Sequence, residues 1–210
     1  MPPHGPGMSN ATHSHDPEFP EDDWNLYSML DPDTTTALNA TRPGDCIGVF
    51  RPFARRLEPE PVLLSDADHE LIVTARFTSP VHIRKLMVIG NGAPGLHPAH
   101  VKCYVNHENL DFTSVEATQC AQEFNLPINE AGTAELFTAI HPFTNVNVLT
   151  LYFNRNHGDE DRTAISYIGL QGEHTHYRRE AVNTTYEVLC NGQDIHQPEE
   201  AAGGHAGHLH

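Results

Sequence analysis

The sequence predicts an all-β protein, a β-sandwich or jelly roll, and two observations lead to this prediction. Apolar residues recur mainly with a period of two rather than three to four, which is the spacing of a strand with one buried face. The stretches that carry this period are short and are separated by polar turns, whereas convincing amphipathic helices are few. Many short strands joined by polar turns are typical of these architectures.

The first predicted element is a short helix in DWNLYSML, residues 23–30, whose apolar residues fall on one helical face. The clearest strand is LIVTARF, residues 71–77, which alternates between an apolar face and a face that holds Ile72, Thr74 and Arg76. The members of the apolar face are Leu71, Val73, Ala75 and Phe77.

Further strands are predicted along the rest of the chain. VHIRKLMVIG follows the turn TSP, and the loop NGAPGLHP separates it from VKCYVN. Later stretches of the same kind are AELFTAI, NVLTLYFN, AISYIGLQG and TTYEVL. In VKCYVN and NVLTLYFN the predicted apolar faces are Val101, Cys103 and Val105, and Leu149, Leu151 and Phe153.

Length and composition indicate one folded domain between two polar ends. All-β sandwiches often reach 210 residues as a single unit. Residues 1–23 and 193–210 are rich in Pro, Gly, His and acidic residues, so we expect a disordered arm and a flexible tail there. The domain is accordingly expected over residues 24–192.

Charge and apolar patterning argue against two classes of partner. With 12 Lys and Arg against 28 Asp and Glu, the chain has a formal charge of -16 and should repel nucleic acid. No apolar run approaches the roughly 20 residues that span a bilayer, and the first residues do not resemble a signal peptide. We therefore expect a cytoplasmic and nuclear protein that binds neither nucleic acid nor membrane. Its four scattered cysteines should be reduced, and some of them buried.

The segment FRPFARR is the first candidate for a partner-binding surface. It places arginines beside aromatic rings in an otherwise acidic chain, and interface centres favour both residue types. An alternative is that the rings close one end of the sandwich while the arginines offset local acidic residues. A second basic group is Arg178 and Arg179. The candidates in the first segment are Phe50, Arg51, Phe53, Arg55 and Arg56.

The segment SDAD offers oxygen ligands at Ser65, Asp66 and Asp68, which would suit a hard cation. No Gly-punctuated calcium loop follows it. We therefore favour a structural loop whose Ser and Asp side chains hydrogen-bond nearby backbone amides.

Several segments together resemble the PITH domain, a proteasome-interacting module that is also found behind a thioredoxin domain. They run in order from about Leu38 to Val182: LNATRPGDCIGVFRPF, LLSDADHELIVTARFTSPVHIRKLMVIG, HPAHVKCYVNHENLDF, FTNVNVLTLYFNRNHGDEDRTAISYIGLQGE and RREAV. GVFRPF and LQGE with RRE are most similar to the single-domain members, which lack the thioredoxin part, and the absence of a C-x-x-C pair agrees.

The resemblance implies a galactose-binding-like jelly roll that associates with the regulatory particle of the proteasome and modulates it. It implies no catalysis of its own and no cofactor, and we expect a monomer outside the complex. The sequence agrees in having neither a G-x-S-x-G nucleophile elbow nor a phosphate-binding loop.

The resemblance also suggests a role for the end of the chain, GGHAGHLH. The regulatory particle carries a zinc-dependent deubiquitinase, and a neutral imidazole is a good zinc ligand. One hypothesis is that Leu209 and His210 reach that site and His210 ligates its zinc, with His205 and His208 nearby. The alternative is a solubilising tail whose histidines cluster by chance.

Two other functions stay open. Galactose-binding-like sandwiches often bind sugars or lipids in the loops at one end, so the chain could be a small-ligand module. Its His-rich ends could instead make it a metal-binding protein.

Overall fold

The computed structural model describes residues 24–174, and the prediction of an all-β jelly-roll sandwich is confirmed for this part of the chain. Every pair of neighbouring strands is antiparallel, and the main path through the sheet runs β2-β8-β3-β7-β4-β5, with β1 and β6 also pairing with β3. The strands are β1 (Thr36–Leu38), β2 (Leu63–Leu64), β3 (Leu71–Gly90), β4 (Pro98–Val105), β5 (Gln122–Asn125), β6 (Leu136–Phe137), β7 (Val146–Asn156) and β8 (Ala164–His174).

Strand β3 is 20 residues long and joins the two parts of the sandwich. Its first part pairs with β1 and β7, and its second part pairs with β8 and β6. The sequence predicts two strands here, separated by the turn TSP, but the backbone stays extended through it. A register shift between Arg76 and Val81 bends the strand instead, because a β-bulge changes direction without ending the strand.

The predicted apolar faces form the main core. The four residues predicted from LIVTARF are buried in it, as are Val101, Cys103, Leu149, Leu151 and Phe153, while Val105 packs against it half-buried. In the second part of β3 the inward residues change from Val81 and Ile83 to Leu86 and Val88. This one-residue slip coincides with a second register shift, between Ile83 and Lys85.

Two smaller clusters cover the outer faces of the sandwich. Trp24 packs with Met87, Ile89 and Tyr167 over the β3–β8 pair, with Phe53 against it. On another face, Val115 of the helix α1 (Phe112–Ala117) joins a cluster formed by Ile72, Tyr104, Leu110 and Tyr152. Both faces of the central strands are therefore buried, which explains why β3 and β8 are apolar at consecutive positions.

The helical prediction needs correction. DWNLYSML forms only a four-residue 3-10 helix, Leu26–Met29, although Leu26 and Leu30 are buried as its apolar face requires. The regular helix is α1, which begins with a capping box between Asp111 and Ser114. Of AELFTAI, only Leu136–Phe137 is a strand, and TTYEVL lies outside the described residues.

Among residues 24–174, no helix has the length and apolar character needed to cross a membrane.

Candidate functional site

A large groove opens where the β3–β8 pair ends at Val81 and His174. Its volume is about 770 Å³. The walls come from residues 82–85 of β3, residues 171–173 of β8 and residues 137–144. At the opposite end of the same pair, Gly90 faces Ile165, about 30 Å away at roughly 3.3 Å per residue.

The groove carries the most exposed apolar side chains of the described chain. Ile140 is 85% exposed and Phe137 is 66% exposed, while Phe143, which also lines the groove, is buried. Exposed apolar side chains that line one groove together are typical of binding surfaces. A rim of charged and polar groups around such a patch is the usual anatomy of a protein interface.

The backbone that presents Phe137 and Ile140 is held in place on both sides. Thr138 donates to the carbonyl of Ile83 through its hydroxyl (2.6 Å) and to the carbonyl of Arg84 through its amide (3.0 Å). Gln122 donates to the carbonyl of Phe137 (3.2 Å). The two exposed side chains are therefore presented by a fixed segment, which lowers the entropy cost of binding a partner.

Two ion pairs flank the groove. Arg84 contacts Glu173 and Lys85 contacts Glu135, each at 2.8 Å, and the Lys85 ammonium lies 5.1 Å from the centre of the Phe137 ring. Such partly exposed pairs add little stability. They do place both signs of charge at the rim, where they can orient a partner.

The segment FRPFARR is mostly part of the interior. Phe50 is buried in the main core, and Arg51 is only 5% exposed. The Arg51 guanidinium donates to the carbonyls of Glu58 (2.8 Å), Glu60 and Ser166, so it ties the loop at 58–60 to β8. Burial lowers the pKa of this guanidinium, although Glu58 acts in the opposite direction. These two side chains hold the fold together and are not available to an external partner.

The rest of the segment covers the outer face of β3 and β8. Phe53 stacks on Trp24 with ring centres 5.6 Å apart, and the Arg56 guanidinium lies 3.9 Å from the centre of the Phe53 ring. Arg55 is exposed and pairs with Glu58 at 2.7 Å. Both rings of the segment therefore pack against the sandwich, Phe50 in its main core and Phe53 on its outer face. Arg55 is the member of the group that is most accessible to a partner.

The SDAD segment is a hydrogen-bonded loop. The Ser65 hydroxyl accepts from the amide of Thr163 (2.9 Å), and the Asp68 carboxylate accepts from the side chain of Asn39 (2.8 Å) and the amide of Glu70 (2.9 Å). These side chains are thus occupied in holding the loop, while Asp66 is exposed. No cluster of three His, Cys, Asp or Glu side chains suited to a metal ion occurs within residues 24–174.

The remaining predicted site residues lie outside the described residues: Arg178, Arg179, His205, His208, Leu209 and His210.

Comparisons with known proteins agree on one family. The PITH domain family matches residues 16–189. The PITH domain-containing protein 1 of Dictyostelium discoideum is 35% identical, covering 89% of this chain and 91% of that protein. The Mus musculus protein of the same name is 34% identical, covering 83% of this chain and 82% of its own length.

Among solved structures, a Clostridium perfringens CBM32 domain in complex with GalNAc-β-1,3-galactose aligns with a TM-score of 0.49. It is 11% identical and covers 70% of this chain and 97% of that one. A fucolectin from striped bass aligns with a TM-score of 0.48 and 8% identity, over 71% of this chain and 49% of that one. At these identities the comparisons concern the fold alone.

Proposed function

The chain belongs to the PITH domain family, and on that premise we propose that it binds the regulatory particle of the proteasome and modulates it without catalysing a reaction itself. The choice of partner rests on the family resemblance. The observation that carries the binding role is the groove, in which Phe137 and Ile140 are exposed on a backbone that Thr138 and Gln122 hold fixed.

The groove has the properties of a protein-docking surface. Exposed aromatic and aliphatic side chains at the centre supply apolar area to bury, and the Arg84–Glu173 and Lys85–Glu135 pairs supply a polar rim. A partner that inserts an apolar side chain between Phe137 and Ile140 would remove both from water. Burying each such side chain contributes about 1.5–3 kcal/mol before the costs of association.

The C-terminal histidines form a second, separable part of the proposal. His210 would ligate the zinc of the deubiquitinase while the groove docks the domain beside it. This part rests on the sequence and the family resemblance, because these residues lie outside the described ones. It predicts that the tail affects removal of ubiquitin more than it affects docking.

Capture of purified 26S proteasome by the immobilised full chain tests both parts. Ile140→Asp should weaken capture at least tenfold, because a carboxylate would enter the apolar contact. Ile128→Asp is the matched control, since Ile128 is the same residue type, is also exposed (48%) and does not line the groove. His210→Ala and a chain ending at Gln193 should retain capture while changing the rate of ubiquitin-chain hydrolysis.

The outcomes separate the two parts. Equal capture by the intact chain and Ile140→Asp would remove the groove from the proposal. An unchanged hydrolysis rate with His210→Ala would remove the zinc-ligating tail. Failure of the intact chain to capture proteasome would contradict the proposed function as a whole.

A further inference from the structure

The chain takes its positive charge almost entirely from arginine. Its 12 basic residues comprise ten arginines and only two lysines, Lys85 and Lys102. Lysine is otherwise among the commonest residues of soluble proteins. Residues 1–23 and 175–210 contain no lysine at all. Both lysine side chains therefore belong to the part of the chain that the structure describes, where their surroundings can be compared.

The choice between arginine and lysine matters because the lysine amine is the acceptor of ubiquitin. The neutral ε-amine attacks the carbonyl carbon of ubiquitin that is held as a thioester on a conjugating enzyme. A C–N bond forms, the C–S bond breaks, the sulfur leaves as a thiolate and the nitrogen gives up a proton. Arginine carries the same charge but stays protonated, so it does not react in this way. Arginine thus supplies positive charge without adding acceptors.

Lys85 is poorly placed to act as an acceptor. It lies within β3, and its side chain is only 25% exposed. Its ammonium is 2.8 Å from the Glu135 carboxylate and 5.1 Å from the centre of the Phe137 ring. Reaction would require this ion pair to break before the amine could lose its proton. A conjugate on Lys85 would also cover the groove, because Lys85 lines it.

Lys102 is the more available of the two lysines. It is half-buried in β4, and its ammonium has neither a hydrogen bond nor an ion pair within residues 24–174. The strands on either side of β4 hold its backbone in place: β5 brings Glu123 opposite Lys102, and β7 brings Tyr152 opposite it. A strand paired on both sides cannot leave the sheet to enter the active site of an enzyme. Lys102 therefore has a free amine on a fixed backbone, which favours slow conjugation.

We propose that this chain is a poor acceptor of ubiquitin and that the lysine conjugation it does undergo falls on Lys102. The use of this property rests on the proposed function: a regulator that binds the proteasome stays intact there if it is not itself converted into a ubiquitin-bearing substrate. Lys102 does not line the groove, so a conjugate on it leaves the docking surface open. The acceptor property itself does not require proteasome binding.

Acetylation of the full chain by N-hydroxysuccinimidyl acetate, followed by peptide mass spectrometry, measures the reactivity of the two amines. Lys102 should react at least about threefold faster than Lys85, because the Lys85 ammonium is paired with Glu135. Glu135→Gln weakens this pair, so it should speed the acetylation of Lys85 and leave that of Lys102 unchanged. Equal rates at the two lysines of the intact chain, or a faster reaction at Lys85, would overturn the assignment to Lys102.

Ubiquitin conjugation tests the acceptor property directly. A purified ubiquitin ligase is recruited to the full chain through a lysine-free epitope, and the conjugates are mapped by mass spectrometry. Arg42→Lys keeps the charge and places a lysine at a 73% exposed position outside the strands, so it should be conjugated at least about tenfold faster than the intact chain. Lys102→Arg should remove most of the lysine conjugates of the intact chain, whereas the matched Lys85→Arg should remove few.

Equal conjugation of the intact chain and Arg42→Lys would overturn the proposal, as would conjugates of the intact chain that lie mainly on Lys85. The assay contains no proteasome, so its outcome is separate from that of the capture experiment. Fast conjugation of Arg42→Lys together with failed capture would leave the acceptor property in place and contradict only the proposed function.

Discussion

The two ends of the β3–β8 pair differ in which side chains are exposed and which are buried. At the groove, Phe137 and Ile140 are apolar and exposed. Towards the other end, where Gly90 pairs with Ile165, Arg51 and His97 are polar and buried. Exposed apolar groups and buried polar groups both cost free energy unless they have a further use.

The two ends also differ in whether this free-energy cost is offset within the molecule. Hydrogen bonds within the molecule offset the cost of burying Arg51, because its guanidinium donates to three backbone carbonyls. Ile140, Phe137 and His97 have no such compensation within the described residues. The difference indicates that the Arg51 segment is structural, and it supports the binding role that we propose for the groove.

The largest expected effect concerns Arg51. It lies towards the end of the β3–β8 pair at Gly90 and Ile165, which we call the closed end. Arg51→Met should lower the free energy of unfolding by about 3 kcal/mol, because three carbonyls, that of Ser166 fully buried, lose a charged donor while the volume is nearly kept. Urea denaturation measures this change. Ile140→Ser at the groove should change the free energy of unfolding by less than about 0.5 kcal/mol. Comparable losses of stability for the two variants would contradict the view that Arg51 is structural and Ile140 is not.

A second effect follows from the burial of Cys46, which precedes the Arg51 segment. Burial raises the pKa of its thiol to about 12, so little thiolate is present at pH 8. Cys46 should react with iodoacetamide at least about tenfold more slowly than the half-buried Cys120, as resolved by mass spectrometry. Arg51→Met should speed the reaction by loosening this end. Equal rates for Cys46 and Cys120 in the intact chain would contradict a closed end.

A third effect tests the fixed backbone of the groove. Thr138→Val removes the hydroxyl that contacts the carbonyl of Ile83 and leaves Phe137 and Ile140 in place. Without this hydrogen bond the segment must be ordered when the partner binds, at a cost of about 1 kcal/mol. Proteasome binding should therefore weaken about fivefold in a direct titration. Thr113→Val, at an exposed position of α1, is the control. Unchanged affinity for Thr138→Val would mean that the segment need not be held before binding.

The smallest effect is a pH dependence at the exposed Arg55–Glu58 pair. The hydrogen bond from Arg55 lowers the pKa of the Glu58 carboxyl, so its stabilising effect is complete at neutral pH and is lost as the pH falls through the acidic range. Glu58→Gln should therefore lower the Tm slightly at pH 7 and not at pH 3. A difference in Tm that grows towards pH 3 would have the wrong sign for this pair.

Much of the fold could be predicted from the sequence because burial on one face leaves a local trace. The alternation of Leu71, Val73 and Ala75 corresponds to the core face of β3. The same reasoning did not find α1, whose start is marked only by Asp111 three residues before Ser114. It also divided β3 in two, because a bulge has no clear signature of its own.

The candidate sites were less predictable because they depend on distant contacts. Buried Arg51 donates to the carbonyl of Ser166, which is 115 residues away in the chain. Ile140 falls in a stretch that alternates like a strand, but pairing with β3 ends at Phe137 and leaves Ile140 exposed. His97 stands in a Gly/Pro loop, and its burial arises from packing against Gly90. None of these contacts leaves a periodic pattern in the sequence.

Hydrogen exchange of the full chain, with and without proteasome regulatory particle, tests the central claim most directly. Peptides covering residues 136–144 and the end of β8 should become protected, while those covering residues 91–97 should exchange as in the free chain. Protection at residues 53–58 without protection at 136–144 would contradict the account. It would place the partner on the segment that contains Arg55 instead of on the groove.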